Sequence, residues 1–250
     1  MTRGVSIIIP AFNEAATLKT AVQKVLQVDL RGLNLKKEII VVDDGSTDET
    51  RGILEALKKN GINVLRHEDN RGKGMAIQTG LKESAEDIVL IQDADLEYNP
   101  QDYKKLLEPI TAGVADVVYG SRFVGSSPHR VLFFWHYFGN KIITFLTNLV
   151  ANLNLTDIET GFKAFRREAI LSVKLKEARF GFEPEVTIKL ARGRWRFYEV
   201  GISYYARDYS QGKKIRWTDG LLAIWTIMRL SPGLSIVLAL ILIVLFLISL

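Results

Sequence analysis

Three short polar clusters concentrate the chemistry of this 250-residue chain: Pro10-Ala11-Phe12-Asn13-Glu14, Asp43-Asp44-Gly45-Ser46-Thr47-Asp48 and Asp93-Ala94-Asp95-Leu96-Glu97. Carboxylates gathered so closely repel one another unless a cation or hydrogen-bond donors offset them. Asp95 and Glu97 offer hard oxygen ligands, suited to Mg2+ or Mn2+ bridging two phosphates. Any single pair also fits a turn or helix cap, and Asp48 reads as one. Arg71-Gly72-Lys73-Gly74 suits a phosphate cradle ahead of a helix and a plain Gly-rich turn equally well. His67 reads as a surface loop residue, and the three histidines are too scattered for a zinc site. Arg192, Arg194 and Arg196 read as a solvated or headgroup-facing edge.

The elements that must position these clusters alternate. Apolar runs at 5–10, 38–42, 63–65, 87–92 and 116–119 read as strands. Helical spacing covers 15–30, the stretch from the Ser46-Thr47-Asp48-Glu49 capping box through Leu57, the region near 75–84 and a helix begun by Pro100. Repeated βα units imply an α/β fold, a mainly parallel sheet with helices on both faces. Ligands of such sheets sit at the carboxyl ends of the strands, where the three clusters converge on one edge.

Apolar residues make up 48% and charged residues 24%, values that exclude a disordered chain, collagen and a polytopic membrane protein. The charge is uneven: residues 1–160 hold 18 Lys/Arg against 21 Asp/Glu, and residues 161–230 hold 15 against 7. A basic second half suits anionic headgroups or lipid phosphates, and with no nucleic-acid motif in the chain a nucleic-acid partner is not expected. The absence of cysteine excludes disulfides, thiolate zinc sites and a Cys nucleophile. Residues 131–155 crowd Phe133, Phe134, Trp135, Tyr137, Phe138 and further apolar residues among few charges; they fit a core helix pair or helices lying in a bilayer interface, and the interfacial reading is preferred. Residues 230–250 carry no charge and 16 apolar residues, enough for a transmembrane helix, with Arg216 and Arg229 before them placing the main domain on the cytoplasmic face. The domains expected are 1–229 and 230–250.

Ser6 to Glu14, Val41 to Asp48 and Asp93-Ala94-Asp95 resemble the inverting GT-A (Rossmann-like) glycosyltransferases of family 2. Gly120-Ser121-Arg122-Phe123, Glu159-Thr160-Gly161-Phe162-Lys163, Gly181-Phe182-Glu183-Pro184-Glu185 and Gly212-Lys213-Lys214-Ile215 are similar to its dolichyl-phosphate mannose synthase and polyprenyl-phosphate glycosyltransferase branch. The resemblance implies that Pro10, Phe12, Glu14, Val42 and Asp44 hold base and ribose. It implies that Asp93, Ala94 and Asp95 lie along diphosphate and sugar, with Asp95 and Glu97 on the metal, and that Arg122, Arg207 and Lys213 bind phosphates. Glu97 stands where the mannose synthases often have Gln, and Phe12 replaces a common Tyr. His129, Arg130 and His136 fall where the branch often contacts the acceptor phosphate.

The activity implied is transfer of mannose or glucose from a nucleotide-diphosphate sugar (GDP-mannose or UDP-glucose) to a polyprenyl or dolichyl phosphate. Asp93, Asp95, Arg122 and Asp157 are the catalytic candidates. Because a lipid phosphate is already anionic near neutral pH, basic groups that position it matter more than a general base. Asp157 is the candidate if a carboxylate orients or deprotonates the acceptor, and it fits a loop cap equally. Two other functions fit the same motifs: transfer to a sugar hydroxyl in envelope polysaccharide synthesis, weakened by the lack of a Gln-x-x-Arg-Trp motif, and a non-catalytic membrane adaptor.

Overall fold

The structure is a computed structural model, described here for residues 3–125, 131, 133–205 and 217–233. Its strands are β1 (Arg3–Ala11), β2 (Leu35–Asp43), β3 (Asn63–Arg66), β4 (Ile88–Ile91), β5 (Val117–Ser121), β6 (Lys163–Arg166) and β7 (Phe197–Gly201). Its helices are α1 (Leu18–Gln27), α2 (Thr50–Lys59), α3 (Lys73–Glu83), α4 (Tyr103–Thr111), α5 (Phe134–Ala151), α6 (Arg167–Leu171), α7 (Phe182–Ala191) and α8 (Trp217–Leu230). The strands form one sheet in the order β3-β2-β1-β4-β6-β5-β7, in which β6 alone runs against its neighbours.

Alternation along the central strands splits the core in two. Val5, Ile7 and Ile9 of β1 with Ile39 and Val41 of β2 face α1, α2 and α4, where Leu18, Val22, Leu54, Leu106 and Leu107 meet them. Ile8, Ile40, Val42, Val89 and Ile91 face the other layer, built from α3, α6, α7 and α8. Ile7, Ile8 and Ile9 are fully buried, and each such side chain is worth about 1.5–3 kcal/mol of transfer free energy.

One sequence expectation changes here. Ser46 does not cap α2, which starts at Thr50: its Oγ accepts the Asn13 N–H of the loop after β1, while Asp48 takes the Thr50 N–H on one oxygen and the Ala15 N–H on the other, at the helix start. Of the two readings of 131–155, the core helix pair does not form: α5 is one helix with its apolar side outward. Asn140, Ile143, Thr144 and Thr147 are its buried residues, while Phe134 is 64% exposed, Trp135 76% and Phe145 65%. Among the described residues no helix is long and apolar enough to cross a membrane, and the expected span 230–250 lies outside them from residue 234 onward.

Candidate functional site

The register explains why the polar clusters meet. Pro10 pairs with Val42 and Ala11 with Asp43, while Ile8 pairs with Ile91, so β1, β2 and β4 end side by side on one edge. The loops after β1 and β2 are then stitched together: Asn13 N–H donates to Ser46 Oγ at 3.0 Å, Glu14 N–H to Thr50 Oγ1 at 2.9 Å and Thr47 N–H to Asn13 Oδ1 at 2.8 Å. Asp48 is held below the ordinary carboxylate range: partial burial works against its charge, and hydrogen bonds from Thr50 and Ala15 outweigh it. Pro10, Phe12 and Glu14 are half-buried along this seam, whereas Val42 is fully buried and gives its side chain to the core. Asn13 sits at φ 51°, a left-handed conformation that Asn tolerates.

Asp44 does something other than face open space. Its buried carboxylate accepts His67 Nδ1 at 2.7 Å, Asn70 Nδ2 at 2.9 Å and the Arg71 and Gly72 N–H groups at 2.9 and 2.7 Å. The Gly-rich turn before α3 therefore cradles a protein carboxylate, and Gly72, at φ 97° with the Ala178 carbonyl 2.5 Å from where a Cβ would lie, is required there. His67 is correspondingly buried between Asp44 and Thr79, not on the surface.

Lys73, the first residue of α3, reaches Asp93 Oδ1 at 2.8 Å and Glu183 Oε1, on α7, at 3.3 Å. Burial opposes its charge, but the two carboxylates outweigh that and hold the ammonium well above its usual pKa. Glu183 Oε2 and Glu159 Oε1 are buried with no hydrogen-bond partner among the described residues. Burial and the neighbouring Glu183 raise the Glu159 carboxyl, and burial lowers the Lys163 amine.

The turn after β4 carries the metal candidates. Asp95 Oδ1 accepts the Glu97 N–H at 3.1 Å, and Leu96 between them is held at φ 64°, strain of a kind that persists at functional sites. Glu97 Oε2 accepts Tyr204 O–H at 2.9 Å. Two carboxylates from one tight turn would offer hard oxygen ligands to Mg2+ or Mn2+; among the described residues no group of three His, Asp or Glu gathers to hold a metal by protein alone. Arg122, after β5, lies with its guanidinium 5.1 Å from the Tyr204 ring centre. It forms a bidentate pair with Asp157, Nε to Oδ2 at 2.7 Å and an Nη to Oδ1 at 2.8 Å. Burial works against both charges, and each partner outweighs it for the other, so Asp157 falls below and Arg122 rises above its ordinary range.

One continuous chain of contacts thus joins Asp44, the turn to Lys73, Asp93 and, through Gly161 and Tyr98, the Tyr204–Glu97–Arg122–Asp157 group. Ala94 is buried beneath Asp93 and Asp95. Arg207 and Lys213, with His129 and Arg130, lie outside the described residues. Arg196 is half-exposed, paired to Asp116 at 2.8 Å, away from this edge. Sequence reasoning did not single out Glu183, Tyr98 or Tyr204; Glu183 stood inside a quoted motif, while nothing local marked the two tyrosines.

A model of the family described as Glycosyl transferase family 2 matches residues 6–173. The UDP-N-acetylglucosamine–dolichyl-phosphate N-acetylglucosaminyltransferase of Methanococcus voltae is 29% identical over 246 residues, covering 91% of this chain and 96% of that one. The dolichol-phosphate mannosyltransferase of Pyrococcus furiosus is 33% identical over 192 residues, covering 74% of this chain and 52% of that one. Among solved structures, glucosyl-3-phosphoglycerate synthase of Mycobacterium tuberculosis, in complex with Mn2+, UDP-glucose and glycerol 3-phosphate, superposes with a TM-score of 0.67 at 22% identity, covering 91% of this chain and 80% of that one. The last shares the GT-A fold.

Proposed function

Because the chain belongs to glycosyl transferase family 2, we propose that it moves one hexose from a nucleotide-diphosphate sugar to a polyprenyl or dolichyl phosphate at a membrane surface, inverting the anomeric centre. The observation that carries the acceptor half of this reading is helix α5. It turns Asn140, Thr144 and Thr147 inward and Phe134, Trp135, Phe138, Phe145 and Leu149 outward. A helix with its polar side on the protein and its aromatic side outside suits a bilayer interface. Leu221, Leu222 and Trp225 of α8, which packs on α5, extend the apolar face. Residues 230–250 would hold the domain there as a transmembrane helix, catalytic side toward the cytoplasm.

In this reading the seam of Pro10, Phe12 and Glu14, with the backbone at Val42, takes base and ribose, and Asp44 shapes its floor through the turn from His67 to Gly72. Asp95 and Glu97 would hold the divalent cation, which when bound neutralises charge growing on the leaving diphosphate. Asp93, fixed by Lys73, faces the diphosphate and sugar, and Arg122, with Arg207 and Lys213, draws the phosphates. Both oxygens of Asp157 are engaged by Arg122, and Asn140 adds a further donor to Oδ1, which suits a carboxylate that places an arginine better than one that deprotonates a hydroxyl. An acceptor that arrives as an anion needs no such base.

The test is a panel of labelled donors, GDP-mannose, UDP-glucose and UDP-N-acetylglucosamine, incubated with membranes carrying the protein. Label is expected in the lipid extract with one donor, and an Asp95→Ala variant is expected to lower it by at least about 100-fold. Label found only in polymer would overturn the lipid-phosphate acceptor.

A further inference from the structure

The polar inner side of α5 is bonded to residues 155–158. Asn140 Nδ2 donates to Asp157 Oδ1 at 3.0 Å, and Lys141 Nζ to the Thr156 carbonyl at 3.0 Å. Thr144 Oγ1 donates to Asn140 Oδ1 at 3.0 Å and accepts the Ile158 N–H at 3.4 Å. Asn148 exchanges two bonds with the Leu155 backbone, at 2.7 and 3.1 Å. On its far side the same segment is held by Glu199 of β7, whose Oε1 accepts the Thr156 and Asp157 N–H groups. Asp157 in turn grips Arg122 by backbone N–H, Nε and Nη, and Arg122 lies over Tyr204, the donor to Glu97. Asn140, Thr144 and Asp157 are buried, where a lost partner costs most.

We propose that Asn140 is a positioning residue through which the seating of α5 on a bilayer fixes Arg122 at the site. The inference rests on the membrane reading of the proposed function. The outer face of α5 is apolar and open, so a bilayer holds the helix where water does not. Its inner face is joined by Asn140 to the carboxylate that carries the arginine. Neither the aromatic face nor the arginine alone requires this connection; an amide at a helix position that reaches Asp157 provides it.

Amide hydrogen exchange with and without vesicles of phosphatidylcholine and phosphatidylglycerol tests it. In the parent chain, vesicles are expected to slow exchange across residues 120–123 and 156–158 by about tenfold. Asn140→Leu, similar in shape but without the donor, should bind the same vesicles equally yet show less than about a twofold slowing. Asn140→Gln, which keeps an amide, should restore a good part of it. With the donor identified by the labelled panel, Asn140→Leu should lower kcat by about tenfold while donor KM stays within about twofold. Parental slowing in Asn140→Leu would overturn the proposal, as would vesicle binding by the parent without any slowing. Failure of the parent to bind vesicles would instead overturn the membrane reading. If Asn140→Leu does not fold, Thr144→Val, which removes the hydroxyl that orients Asn140, carries the same comparison.

Discussion

Glu159 is a buried carboxyl whose neighbours decide its charge. Burial and Glu183 raise its pKa in the folded chain above the unfolded value near about 4.3. The folded state therefore keeps a proton that the unfolded state has released, and stability falls as pH rises from the unfolded value toward the raised one. Glu159→Gln, a neutral isostere, should match the parent at about pH 4, below the unfolded value. At about pH 9 it should melt about 2–4 °C higher, the shift given by roughly 1 kcal/mol in a chain of this size. Equal melting temperatures at both pH values would show that Glu159 carries no such burden. Gly161 offers a second probe: a Cβ there would lie 2.1 Å from Asp93 Oδ2, so Gly161→Ala must displace the carboxylate from Lys73. Transfer should drop by about 100-fold or more, since a misplacement of about 1 Å at a site is that costly, while melting changes far less. At this scale the sequence was legible wherever chemistry repeats in a short window, as in Asp93-Ala94-Asp95. It was not legible for the anchoring of Asp44, whose donors His67, Asn70, Arg71 and Gly72 are brought to it by the chain after β3. Tyr204 was silent for the same reason: its partners Glu97 and Arg122 lie 107 and 82 positions away in the chain.

Between elements, α3 packs closely on β1. Gly80 lies where a Cβ would meet Ile8 Cγ2 at 2.5 Å, and Ile8 is fully buried and branched, with little room to turn. Gly80→Ala gains about 0.5–1 kcal/mol of helix propensity but overpacks the interface at about 1–3 kcal/mol. A net loss of about 1–2 kcal/mol, a fall of about 2–8 °C in melting temperature, is expected; an unchanged or higher value would mean that α3 slides away at no cost. The parallel strands β1, β2 and β4 could be read from their apolar runs because both faces are buried. The reversal of β6 could not, since Lys163–Arg166 is as short and as buried as its neighbours and direction leaves no mark on composition. The helix α2 starts after Asp48 and not at Ser46, because the Ser46 hydroxyl is drawn to the loop after β1 while Asp48 reaches the Thr50 N–H, a choice between caps that local spacing does not encode.

For the whole molecule, segregated composition now maps onto separate faces. The sheet edge gathers the acidic clusters with Lys73 and Arg122, and the aromatic sides of α5 and α8 point away from the core as one surface. Trp135 is 76% exposed and Trp225 65%, so removing them should leave folding intact. Each ring that seats in the interface contributes on the order of 1.4 kcal/mol, about tenfold in partitioning. Trp135→Ser with Trp225→Ser is therefore expected to weaken sedimentation with anionic vesicles by about 100-fold, provided the two sites act independently. The cost should be largest for transfer to a long polyprenyl phosphate carried in vesicles and small for binding of the nucleotide sugar, because the donor seam lies on β1 and β2 and shares no side chain with this surface. Equal vesicle binding by the double variant would remove α5 and α8 from the membrane contact and leave that role to residues 230–250 alone. Donor binding lost in parallel with vesicle binding would mean that the two surfaces are one site.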